Sequence, residues 1–157
     1  MKKFVLNISL LVAVAIFAVT LTGCGLFIRP GERYLTAEEF QQRAEEAGYT
    51  TSGFIDEGGV RNVIVAEHES YEIVFSKFND YATALGWWTM RDAEITRGSS
   101  SNSSRTIHGL RHYNGIIANK GQTFHAAIRF GPTLITVSAP REFRGEIIDF
   151  LRGIGYA

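Results

Sequence analysis

Apolar residues fall along this chain in three rhythms: one long, almost wholly apolar run, a spacing of three to four, and strict alternation. Around residue 40 the helical spacing dominates, with Phe40, Ala44 and Ala47 on one stripe. Thr36 and Glu39 form a capping box, and Leu35 and Phe40 a hydrophobic staple. With Gly48 as the C-terminal cap, the pattern predicts a helix over 36–47. Val63-Ile64-Val65-Ala66 is β-branched. Tyr71, Ile73 and Phe75 alternate with Glu72, Val74 and Ser76, and the polar stretch 67–70 between the two runs reads as a hairpin turn. Asn79 or Asp80 caps a second helix whose broad face carries Tyr81, Ala84, Leu85, Trp88 and Ile95. Trp87 and Trp88 are adjacent, so on a helix they point about 100° apart and only one fits the core.

Gly98 to Ser104 is a polar Ser/Asn loop. A weak strand over 106–112 and a better one over 113–118 follow. After the turn at 119–121, Phe124, Ala126, Ile128 and Phe130 share one face of a strand over 123–130, with His125, Ala127 and Arg129 on the other. Gly131-Pro132 turns the chain into a last strand over 134–138. Pro140 opens a final helix whose stripe is Phe143, Ile147, Phe150, Leu151 and Ile154. The expected architecture is α+β, a single antiparallel sheet of about five strands with three helices on one face, in the order α-β-β-α-β-β-β-α. Helix–hairpin followed by helix–meander hints at a loose duplication.

The long run is Phe4–Leu21, 18 residues broken only by Asn7, Ser9 and Thr20; it follows the basic start Met1-Lys2-Lys3 and leads into Leu21-Thr22-Gly23-Cys24. These residues resemble the signal peptide and lipobox of bacterial lipoproteins. The resemblance implies cleavage before Cys24, a diacylglyceryl thioether on that residue, and a protein held on the outer face of a membrane. Two acyl chains suffice for stable anchoring, at about 0.8 kcal/mol per buried methylene. A retained spanning helix, which needs about 20 apolar residues, would leave the rest of the chain on the same side. The expected parts are a signal peptide over 1–23, the lipidated Cys24 with a short tether to residue 34, and one globular domain over 35–157.

Composition sharpens this picture in two places. Cys24 is the only cysteine, so the fold rests on an apolar core with no disulfide. Without Lys2 and Lys3, 14 basic residues face 16 acidic ones, a net charge of −2 that gives no sign of nucleic-acid binding. The charge is uneven: Arg29 to Glu72 holds 4 arginines and 10 carboxylates, whereas Ile95 to Arg141 holds no Asp or Glu. The leading expectation is internal pairing of the acidic part with the basic part. The alternative is a basic face toward anionic lipid head groups or cell-wall polymers.

No motif for catalysis stands out. His108 and His112 have helical ligand spacing, but the local pattern is a strand, where four residues span about 13 Å. No metal and no cofactor are expected. Serines concentrate in the loop 98–104, and Gly-x-Ser-x-Gly, Ser-x-x-Lys and phosphate-cradling glycine loops are absent from the sequence. The run Gly131-Pro132-Thr133-Leu134-Ile135-Thr136-Val137, then Ala139-Pro140, then a helix ending in Gly155-Tyr156, is similar to the end of small Gram-positive lipoproteins of unassigned function. It implies another α+β lipoprotein domain and no functional residues. The expected function is a membrane-tethered extracytoplasmic binding or accessory module for an envelope protein or anionic polymer. Its expected contact residues are the exposed one of Trp87 and Trp88, with Arg111, His125 and Arg129. Two other readings stay open. One is an envelope hydrolase, which needs His125 and Arg129 in a pocket beside a carboxylate from 56–72; the other is an electrostatic binder of membrane or cell-wall surfaces.

Overall fold

The computed structural model describes residues 34–54, 59–97, 105–108 and 112–157. Cys24, the tether expected before Tyr34, the loop expected over 98–104, and Arg111 lie outside them. Helix α1 is Ala37–Glu46. Thr36 and Glu39 close the capping box, with the Glu39 N–H donating to Thr36 Oγ1 at 3.1 Å and the Thr36 N–H to Glu39 Oε2 at 2.9 Å. Gly48 takes φ +90° just past its end. Three strands follow: β1 Thr50–Phe54, β2 Val60–His68 and β3 Tyr71–Phe78. Helix α2, Tyr81–Thr96, starts on Asp80, whose carboxylate accepts the Thr83 N–H at 2.8 Å. Four more strands complete the sheet: β4 Arg105–His108, β5 Tyr113–Lys120, β6 Thr123–Phe130 and β7 Thr133–Pro140. A 3₁₀ turn over Arg141–Phe143 leads into α3, Arg144–Gly153.

The fold is α+β, with one antiparallel sheet in the order β1-β2-β3-β7-β6-β5-β4. It has seven strands where about five were expected. The additional strand β1, Thr-Thr-Ser-Gly-Phe, lacks β-branched alternation and pairs along an edge, Thr50 opposite Glu67 through Phe54 opposite Val63. The weak strand at 106–112 is real over its first part, and β3 pairs with β7 to join the two meanders.

The helices do not share one face, which corrects the expectation. Helices α1 and α3 cover the face of Ile64, Ile73, Phe75, Phe124, Ile128 and Ile135; α2 covers the other, over Val63, Phe78, Ile116, Ala127 and Leu134. The physical reason is that β6 and β7 bury residues on both faces, Ala127 and Leu134 on one and Ile128 and Ile135 on the other, so each face needs a cover. This also breaks the apparent duplication. A two-fold axis relating antiparallel β3 and β7 would stand normal to the sheet and would keep both preceding helices on one face.

Among the described residues, no ion pair joins the acidic part to the basic part. Arg43–Glu46, Arg91–Glu94 and Arg152–Asp149 each join residues three apart on one helix. All are exposed, where such pairs contribute about 0–1 kcal/mol.

Candidate functional site

Helix α2 decides which parts of its sheet face are closed. Its sheet-facing stripe begins with Tyr81, Ala84, Leu85 and Trp88, then meets Asp92 before Ile95. The N-terminal half closes its end of the face. Trp88 is 5% exposed, and its indole Nε1–H donates to the Ala127 carbonyl at 3.1 Å. Trp87 points away, 38% exposed, with its ring 6.2 Å from that of Phe78. Of the two tryptophans, Trp87 is therefore the one on the surface.

Arg129 is wholly enclosed at that closed end. Its Nε–H donates to Asn114 Oδ1 at 2.9 Å, its Nη2 donates to the same oxygen, and Nη1 donates to the Gly131 carbonyl at 2.9 Å. The guanidinium stacks 4.4 Å from the centre of the Tyr81 ring. Burial lowers its pKa, and the Tyr81 hydroxyl opposes that shift. No carboxylate pairs with it among the described residues. Arg129 thus serves the fold: it ties β6 to β5 and α2. As an exposed contact residue it is corrected, as is Trp88.

The same end holds both chain termini of the described fold. Tyr34 meets Phe130 edge to face at 5.2 Å and lies over Gly131, where an added Cβ would fall 2.0 Å from its ring. At the other terminus, Tyr156 is 1% exposed and its backbone carbonyl accepts the Tyr113 hydroxyl at 2.9 Å. Its own hydroxyl lies 2.5 Å from Thr133 Oγ1, which donates to the Phe130 carbonyl at 2.6 Å, so Tyr156 is the donor of the pair. The two pieces of the C-terminal motif, Thr133 and Gly155-Tyr156, therefore meet in space.

Beyond Trp88 the face opens. An open groove of about 680 Å³ lies at the opposite end of the sheet. Its floor is two rungs of β3, β7 and β6: Val74, Thr136 and Ala127, then Glu72, Ser138 and His125. Arg91, Glu94 and Ile95 of α2 form one wall, the β2–β3 turn at His68, Glu69 and Ser70 another. Lys120 stands at the β5 side, where its Nζ donates to the Arg97 carbonyl at 2.7 Å. Arg91 is engaged with Glu94 at 2.8 Å. The side chains of Glu72, Ser138, Thr136 and His125 have no partner among the described residues. Partial burial, and then the Lys120 charge, lower the pKa of His125.

At this end the opposite face is sealed by aromatic rings. Tyr71 donates to Glu146 Oε1 at 2.6 Å and lies 2.9 Å from the Tyr49 hydroxyl, while His68 stacks on it at 4.5 Å. Burial and the Glu146 carboxylate push the Tyr71 phenol above its ordinary range. It is held as a hydrogen-bond donor, and it fixes α3 to the sheet.

The groove holds His125 together with carboxylates of the β2–β3 hairpin and leaves Arg129 out. The order across the rung is Glu72, Ser138, His125, so the carboxylate neighbours the hydroxyl and not the imidazole. A hydrolytic triad needs the histidine in the middle, between the hydroxyl and the acid that orients it. Among the described residues no group of three or more His, Cys, Asp and Glu could hold a metal ion, and no helix is long and apolar enough to cross a membrane. Sequence reasoning missed Ser138 and Lys120 and had Glu72 only as one of the carboxylates over 56–72. Only the register, which stacks them on one face, singles them out. No protein-family model matches this chain, and no curated protein and no solved structure matches it significantly.

Proposed function

We propose that this protein is a membrane-tethered extracytoplasmic binding module whose ligand site is the groove between α2 and the β2–β3 turn. The observation that carries this reading is the groove's place. It opens at the end of the sheet away from Tyr34, where the tether enters the fold. A lipid on Cys24, ten residues earlier, would hold the closed end toward the bilayer and the groove outward. Ten extended residues reach at most about 35 Å, so the domain stays near its membrane. The groove's volume falls in the range of about 300–1,000 Å³ that suits small ligands. Its free polar groups stand around an apolar floor of Val74 and Ala127, the mixture such sites use.

Two measurements test the reading. Intact mass of the protein from native membranes should correspond to a chain starting at Cys24 with a diacylglyceryl group. An intact Met1 or an unmodified sulfur would remove the tether. Native mass spectrometry of the same preparation should reveal a retained small molecule that is lost in Thr136→Trp, which fills the groove floor. Retention unaltered by that substitution would remove the groove as the site.

A further inference from the structure

We propose that the groove takes short zwitterionic peptides, with the free amine held at Glu72 and the free carboxylate at Lys120. The inference rests on the groove reading above and goes on to name its ligand. Charge decides the class first. Glu69 and Glu72 are carboxylates without a partner among the described residues, while Glu94 is neutralised by Arg91. The β3 side of the groove is therefore negative and selects a cation. Ser138 sits next to Glu72 across the rung and offers an oxygen as a further acceptor for an ammonium group, and His125, one strand further, offers a ring nitrogen. The lowered pKa of His125 keeps that ring neutral near pH 7, so it accepts rather than repels.

The opposite side selects an anion. Lys120 uses one of its three donors on the Arg97 carbonyl and keeps two for a ligand. Spacing decides the size. Glu72 and Lys120 lie on β3 and β5, three strand intervals apart across β7 and β6, and Lys120 stands two residues beyond Ala118, the β5 partner of His125, so their backbones are about 16 Å apart. Less about 3 Å at each end for the side chains, that span fits two to three extended residues at about 3.5 Å each. The floor of Val74, Thr136 and Ala127 is apolar with one hydroxyl, suited to small side chains and a peptide backbone.

The test is calorimetric titration of the full chain, purified in detergent, with Ala-Ala-Ala, its N-acetyl form and its C-amide form. The unblocked peptide should bind, and each blocking group should weaken binding about tenfold or more, the scale of a lost charge-assisted hydrogen bond. Glu72→Gln should weaken Ala-Ala-Ala similarly yet leave the N-acetyl form unaffected, and Lys120→Met should do the same for the C-amide form. Both side chains are at the surface, so the variants fold, and each serves as the other's control. No saturable binding of Ala-Ala-Ala, or equal binding of all three forms, overturns the proposal. If Thr136→Trp still strips a native small molecule in that case, only the ligand class falls and the groove stands as the site.

Discussion

Arg129 and His125 lie four residues apart on β6 and face the same side of the sheet, yet they meet opposite surroundings. Arg129 is under the N-terminal half of α2, wholly enclosed and hydrogen-bonded at every side. His125 is beyond the apolar half of the helix, in a groove, with no partner among the described residues. The difference is made by α2, not by β6. Where the helix carries Ala84 and Trp88 the face is core; where it carries Arg91, Asp92 and Glu94 the face stays open. A basic residue on a strand is structural or functional according to what crosses above it.

The sharpest way to break this comparison is at α2 itself. Trp88→Ala should cost about 3–5 kcal/mol of folding free energy, whereas its exposed neighbour Trp87→Ala should cost about 1, read by chemical denaturation. Equal losses would mean that the helix does not close the face as described. Next comes the pair on β6. Arg129→Ala leaves Asn114 and the Gly131 carbonyl without their donor and empties the space against Tyr81, a loss of about 3 kcal/mol. His125→Ala should change stability by less than about 1 kcal/mol. A smaller effect is expected at the closed end's other lock. Tyr156→Phe removes the hydrogen bond to Thr133 and should cost about 1 kcal/mol, with the fold kept.

The smallest effect concerns pH. Burial holds the His125 pKa below its ordinary 6.5, so the unfolded chain binds its proton more readily. Stability from this group is complete above pH 6.5 and falls as pH drops below that value toward the folded pKa. His125→Gln should flatten this part of the pH–stability curve, measured by thermal unfolding between about pH 7 and 5. An unaltered slope would mean that the imidazole is as well solvated as in the unfolded chain.

Much of this was legible in the residues. The capping box at Thr36, the alternation in β3 and β6 and the stripe of α3 each follow from local spacing, and the structure keeps all of them. What local spacing does not carry is which element covers which face. The alternation of His125, Ala127 and Arg129 predicts a shared face correctly, but nothing near them in sequence indicates that α2, about forty residues earlier, covers one and spares the other. Strand β1 was missed for a related reason. An edge strand whose residues are almost all exposed needs little hydrophobic alternation, and Gly53 dilutes what there is. Ser138 and Lys120 became candidates, and Glu72 stood out among the carboxylates over 56–72, only once the order β3-β7-β6-β5 set these strands side by side.

Thiol labelling of the full chain from native membranes tests the account most directly, because Cys24 is the sole cysteine and Ser138 and Leu134 share one face of β7. The account predicts no reaction in the wild type, where the sulfur is a thioether, rapid reaction in Ser138→Cys within the groove, and reaction in Leu134→Cys only on unfolding. A reactive wild-type sulfur would contradict the anchor, and equal rates at 138 and 134 would contradict a face closed at one end and open at the other.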